Sequence, residues 1–197
     1  MSTTYKPLTV SHLGVGVTYR RPAQDTPENV DFDSPATAVM TDLTKVAAVT
    51  MGPCVGLDAA RDRMIASGVR LLLVTDQANR ILGIITTVDL ENRPMQYLKE
   101  HGGKREDIYI RDIMTPQDKL EVLDMAEVAR ASVGDVIETL KSTGRKHALV
   151  VERDEQGNEV LRGLFAASRM GQLLGVPIET TERATTFADL GQLKAAM

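Results

Sequence analysis

The chain has 197 residues, 43% of them apolar and 25% charged, which suits one globular domain or two small ones sharing a core. A formal net charge of −4, with acidic and basic residues interspersed, leaves no basic stripe for a nucleic-acid backbone, and 4% aromatics with no Trp leave no stacking platform for single strands. A single cysteine, Cys54, excludes an intrachain disulfide and a thiolate zinc site.

Residues 1–35 read as an extension, with Pro7, Pro22, Pro27 and Pro35 and a polar stretch at 20–29. Within it, Gly14-Val15-Gly16-Val17 is apolar enough to form a strand or pack on the core. The opening MSTTYKPLTV has no basic region followed by an apolar run, so no secretory signal is predicted and a cytoplasmic setting is expected. The longest apolar runs, at 71–74 and 148–151, fall far short of membrane-spanning length.

From Ala36 the chain repeats itself. Val39-Met40-Thr41 returns as Ile113-Met114-Thr115, and each is followed by a β-leaning stretch, 45–49 and 119–123. Helices are predicted over 57–67 and 133–143, where Leu57, Ala60 and Met64 match Val133, Val136 and Leu140 at helical spacing; Gly68 and Gly144 end them. Two apolar strands follow in each copy, 71–75 with 81–85 and 148–152 with 160–165, joined by turns at 76–80 and 153–159. Helical starts are predicted at 87–90 and 167–174, and between the copies a short helix at 94–101 ends on Gly102-Gly103. The predicted fold is α/β, two β-α-β-β-α units. Its boundaries are an extension at 1–35, repeat 1 at 36–95, a linker at 96–110, repeat 2 at 111–175 and a tail at 176–197. One unit of about 60 residues has a small core, so two stacked sheet to sheet are expected, with a ligand-sized cleft where they meet.

These residues resemble a known family. The twice-used Met-Thr opening, the helices ending in Gly, the run Gly68-Val69-Arg70-Leu71-Leu72-Leu73-Val74-Thr75-Asp76 and above all Gly83-Ile84-Ile85-Thr86-Thr87-Val88-Asp89-Leu90 are similar to a tandem pair of CBS (cystathionine β-synthase) domains, a Bateman module, over about residues 36–175. The resemblance implies a pseudo-two-fold pair that binds an adenine nucleotide or adenosyl ligand (AMP, ADP, ATP or S-adenosylmethionine) between its repeats. It also implies a regulatory role towards a partner protein and a homodimer, with no cofactor required. Thr86 and Asp89 fill the family's ribose–phosphate motif. Arg70 is then expected to face phosphates and Ile84 to line the adenine pocket. Thr115, Leu120, Arg145, Lys146 and His147 are expected to close the other side.

Physical chemistry points the same way for two of them. A Thr at a strand-to-helix junction offers a hydroxyl and backbone N–H groups to phosphate, and an ionised Asp one turn on accepts hydrogen bonds from a ribose diol. The competing reading is that Thr86 is a helix N-cap and Asp89 its first-turn acid. Repeat 2 departs from the motif: in Gly163-Leu164-Phe165-Ala166-Ala167-Ser168-Arg169, Ala166 replaces the hydroxyl and Arg169 the Asp. That site is expected to be empty, altered in ligand or structural, and Lys146, His147 and Arg169 leave it positive enough for an anion.

Other motifs fail. Gly14-Val15-Gly16 has Tyr19 where a dinucleotide fingerprint needs Gly, and no phosphate-binding loop ends in Gly-Lys-Ser/Thr. His12, His101 and His147 have no metal-ligand spacing; Asp31-Phe32-Asp33 reads as solvated turn, and Cys54 as a neutral buried thiol. Residues 185–197, with Phe187, Leu190 and Leu193, read as an amphipathic helix that covers the module or meets a partner. With no nucleophile–base or metal constellation, a regulatory binding protein is favoured over an enzyme, and a ligand-free dimerisation or protein-interaction module is the alternative.

Overall fold

The computed structural model describes residues 29–180, with positions 12, 17 and 27 before them. The expected strand at 14–17, apart from Val17, and the expected helix at 185–197 lie outside the described residues. A 3-10 turn (Ala36–Ala38) leads into β1 (Thr41–Asp42), β2 (Thr50–Met51), α1 (Leu57–Ser67), β3 (Leu71–Thr75), β4 (Ile81–Thr86) and α2 (Thr87–His101). The chain continues through α3 (Ile110–Ile113), β5 (Thr115–Pro116), β6 (Val122–Asp124), α4 (Met125–Val128), α5 (Val133–Thr143), β7 (His147–Arg153), β8 (Glu159–Ala166) and α6 (Ala167–Leu174).

The long elements follow from local patterning. Leu57, Ala60 and Met64 bury one stripe of α1, and Val133, Val136, Ile137 and Leu140 bury one stripe of α5. Gly68 (φ 64°) and Gly144 (φ 68°) stop them in the left-handed region, each N–H donating back to carbonyls of the last turn. Both hairpin turns hang on an aspartate: Asp76 Oδ1 accepts from the Ala78 and Arg80 amides, and Asp154 Oδ1 from those of Gln156 and Asn158.

Two four-stranded sheets result, ordered β2-β3-β4-β5 and β6-β7-β8-β1. Each has a parallel first pair, an antiparallel hairpin and an antiparallel outer strand. The outer strands are exchanged. β1, from the first Met-Thr opening, pairs with β8 (Thr41 opposite Leu164), and β5, from the second, pairs with β4 (Thr115 opposite Ile84). The cores are exchanged with them: Ala36, Val39 and Met40 pack with Val136, Leu140, Val150 and Phe165, while Ile108, Ile110 and Ile113 pack with Leu57, Met64, Leu72 and Ile85. Even the isolated bridges mirror each other, Pro35 to Ser132 and Tyr109 to Gly56. Gly83 and Gly163 make room for the visitors. A Cβ on Gly83 would run into the Thr115 carbonyl oxygen, and one on Gly163 would stand 2.7 Å from the Thr41 carbonyl oxygen.

Three local expectations change. The β-leaning 45–49 forms no strand, and Asp42 turns its start: the Lys45 and Val46 amides donate to its carbonyl, and the Thr44 amide to its carboxylate. In the matching stretch a 3-10 turn (Gln117–Lys119) precedes β6. The helical start at 87 and the short helix at 94–101 are one helix, α2, with Pro94 inside it, because Leu90, Pro94, Tyr97 and Leu98 form one stripe on the first core.

Candidate functional site

Thr86 ends β4 and begins α2. Its backbone is extended (φ −116°, ψ 166°), and its side chain accepts from the Asp89 amide at 3.2 Å. Asp89 answers with one carboxylate oxygen, Oδ2, which accepts from the Thr86 amide and the Thr86 hydroxyl, both at 2.8 Å. This is a closed capping box, so the capping role weighed for these two residues is present. Asp89 is also buried, and its other oxygen, Oδ1, lies 2.9 Å from Arg93 Nε.

Arg93 is the residue sequence reasoning missed. It donates through Nη1 to the Ile113 carbonyl at 2.8 Å and through Nη2 to Thr115 Oγ1 at 3.0 Å. The signal was there in weak form, an acid and a base four residues apart on a helix. Through Arg93 and the β4–β5 register, Ile84, Thr86, Asp89 and Thr115 come together at one end of the first sheet. The 3-10 turn just before Leu120 packs against β4.

The cationic residues fall into two groups. Arg70 precedes β3 and its carbonyl accepts from the Thr87 amide; Lys146 precedes β7 and its carbonyl accepts from the Ala167 amide, the same position in the second half. His147 opens β7 half-buried. Burial, then the charge of Lys146, then that of Arg70 press its pKa down to about 4, so it is neutral at pH 7. Arg145 goes elsewhere, donating from Nε to Glu121 at 2.9 Å.

The second motif is open where the first is closed. Ala166 gives α6 no side-chain cap, and Arg169, at the place of Asp89, carries a buried Nε with no hydrogen-bond partner. Two open depressions of about 440 and about 510 Å³, one beside α4 and one beside α6, are lined by none of the nine predicted residues. Among the described residues no group of three or more His, Cys, Asp or Glu is placed to hold a metal, and no helix is long and apolar enough to cross a membrane. Asp31 is exposed and accepts from the Asp33 amide and the Ser34 hydroxyl, as turn residues do, whereas Cys54, expected to be buried, is exposed and its Sγ accepts from Arg111 Nη1 at 2.9 Å.

No family model and no curated protein matches the chain. Solved structures do. An uncharacterized conserved protein from Pyrococcus horikoshii matches at 22% identity and TM-score 0.55, over 77% of this chain and all of its own. CBSX2, solved in complex with AMP, matches at 20% and 0.49, over 71% and 94%. A CBS-domain containing protein from Agrobacterium tumefaciens matches at 21% and 0.48, over 64% and 83%. At such identities the likeness is one of fold, in keeping with the resemblance of residues 36–175 to a tandem CBS-domain pair: two halves of one plan, each sheet closed by a strand from the opposite opening segment.

Proposed function

We propose that the chain is a regulatory module, not an enzyme, that binds an adenine nucleotide between its two halves. In this reading Asp89 takes the ribose diol, Ile84 and Leu120 contact the base, and Thr86 and Thr115 offer hydroxyls beside it. Arg70, Lys146 and His147 receive the phosphates, with Arg145 at the rim. The observation that carries the reading is geometric: Thr86 and Asp89 stand at a strand-to-helix junction and are joined through Arg93 to Thr115 of the second opening segment. Arg70 and Lys146 hold matching places just before β3 and β7 and offer positive charge to a phosphate. That charge favours AMP, ADP or ATP over the sulfonium cation of S-adenosylmethionine. The capping box leaves Asp89 about one acceptor direction for the ribose, since an ionised carboxylate has about four and three donors occupy the others. Binding would bias the relation of the two halves, and a homodimer or a partner protein in the cytoplasm would read that bias.

The alternative, a ligand-free interaction module, rests on the same capping box: Thr86 and Asp89 already satisfy each other. Calorimetric titration with AMP, ADP, ATP and S-adenosylmethionine, on the wild type and on Asp89→Ala, separates the two. The nucleotide reading requires saturable binding of at least one phosphate-bearing ligand that Asp89→Ala abolishes. Heat from none of the four, or binding indifferent to Asp89→Ala, leaves the interaction module standing.

A further inference from the structure

Arg93 belongs to neither the family motif nor the predicted site, and its guanidinium has three clients. Nε meets Asp89 Oδ1 at 2.9 Å, Nη1 donates to the Ile113 carbonyl at 2.8 Å and Nη2 to Thr115 Oγ1 at 3.0 Å. Asp89 lies in the first half. Ile113 and Thr115 lie in the segment that leads from the first sheet into the second, since β5 is followed by the 3-10 turn and then β6. Among the described residues, two of the three donors to the Asp89 carboxylate come from Thr86 in its own capping box, and Arg93 alone ties it to another part of the chain.

We infer that Arg93 is a positioning residue that couples ligand occupancy at Asp89 to the segment Ile113–Pro116, and so to the second sheet. This rests on the nucleotide reading of Asp89. A ribose diol brings two O–H donors to a carboxylate that has about one acceptor direction left. One existing donor must yield or turn. The Thr86 amide is fixed by the backbone; the Thr86 hydroxyl and the Arg93 guanidinium are the two that move. Either movement alters the carboxylate that Arg93 grips, and Arg93 passes the change on, because its other two bonds end on the Ile113 carbonyl and the Thr115 side chain. Coupling of this kind is reciprocal, so the segment must act on ligand affinity as strongly as the ligand acts on the segment.

The test follows amide hydrogen exchange at Met114 and Thr115 in the full chain, with and without saturating AMP, alongside AMP affinity. In the wild type, AMP should change exchange there several-fold. Arg93→Met should cancel that change and weaken AMP about tenfold, while Arg93→Lys, one point charge in place of a three-bond fork, should restore little of either. Thr115→Val removes one of the three bonds and should give an intermediate exchange response, read at full AMP saturation because Thr115 itself stands beside the ligand; it also decides the matter if Arg93→Met does not fold. Unchanged affinity together with an unchanged exchange response in the folded variant overturns the inference. If the wild type binds no nucleotide, the functional reading fails, and the link is judged by itself in ligand-free protein. There Asp89→Asn must speed exchange at Met114 and Thr115, and no change overturns it.

Discussion

Gly83→Ala puts the strand exchange to a direct stability test. The added Cβ would overlap the Thr115 carbonyl oxygen and stand 3.1 Å from both Met114 Sδ and Pro116 Cα. Met114 can swing away; a backbone carbonyl in a strand cannot. Restoring ordinary contact requires β5 to retreat by roughly 1 Å, which strains its pairing with β4 and the two bonds Arg93 makes to Ile113 and Thr115. Overpacking against rigid neighbours costs about 1–3 kcal/mol, and weakened hydrogen bonds add about 1 kcal/mol. The expected loss is about 3 kcal/mol, read as a lower urea midpoint at constant slope. Gly163→Ala, whose Cβ meets the Thr41 carbonyl oxygen at 2.7 Å and flexible Met40 atoms at 2.9 and 3.0 Å, should lose less, about 2 kcal/mol. Gly52→Ala, with nothing within 4 Å, is the control and should stay within about 0.5 kcal/mol. A Gly83→Ala protein no less stable than the Gly52→Ala control would mean that β5 does not lie where the exchange requires it.

Asp42 should mark acid unfolding. Burial pushes its carboxyl up, but hydrogen bonds from Arg162 and Thr44 outweigh that and hold it at about 2 against an ordinary 3.8. Its contribution is full above about pH 4 and lost as pH falls towards 2, and Arg162→Met should raise the midpoint of acid unfolding by circular dichroism. His147 works in the adjoining window. Its folded pKa of about 4 lies below the unfolded 6.5, so the unfolded chain binds the proton first and stability falls as pH drops from 6.5 towards 4. Between pH 7 and 5 the loss should be about 1–2 kcal/mol, and a His147→Gln protein that keeps the same slope in urea titrations contradicts this. Arg169→Met should stabilise the protein by about 1 kcal/mol by removing a buried donor without a partner; a lower melting temperature would show that the guanidinium has a structural partner.

The sequence disclosed whatever depends on neighbours along the chain. The stripes of α1 and α5, their glycine stops and the apolar runs of β3 and β7 are local signals, and the structure repeats them nearly residue for residue. The exchange of β1 and β5 was hidden because a two-residue strand has no period, and because its partner is chosen by a distant glycine, Gly163 or Gly83. The stretch at 45–49 misled at its start because Asp42 draws Lys45 and Val46 into a turn. Pro94 read as a boundary although burial keeps α2 continuous through it. At the candidate site, Thr86, Asp89 and Thr115 were legible as motif residues, but Arg93, which joins them, carries no motif. Arg145 was read towards the ligand and is taken by Glu121.

Exchanged outer strands also set an order of assembly. During synthesis the first sheet lacks β5 until Pro116 has been made, and the opening segment 36–42 must wait for β8, about 120 residues later, before it has a strand to join. Neither half can finish without the other, so the pair should cross its folding barrier as one unit and slowly for its size, since long-range pairing has to precede its reward. Pulse-labelling during refolding should find the amides of α1 and α5 protected early and those of Asp42 and Leu43 protected last. Early protection at β1 would mean that the opening segment finds a temporary partner nearer to hand.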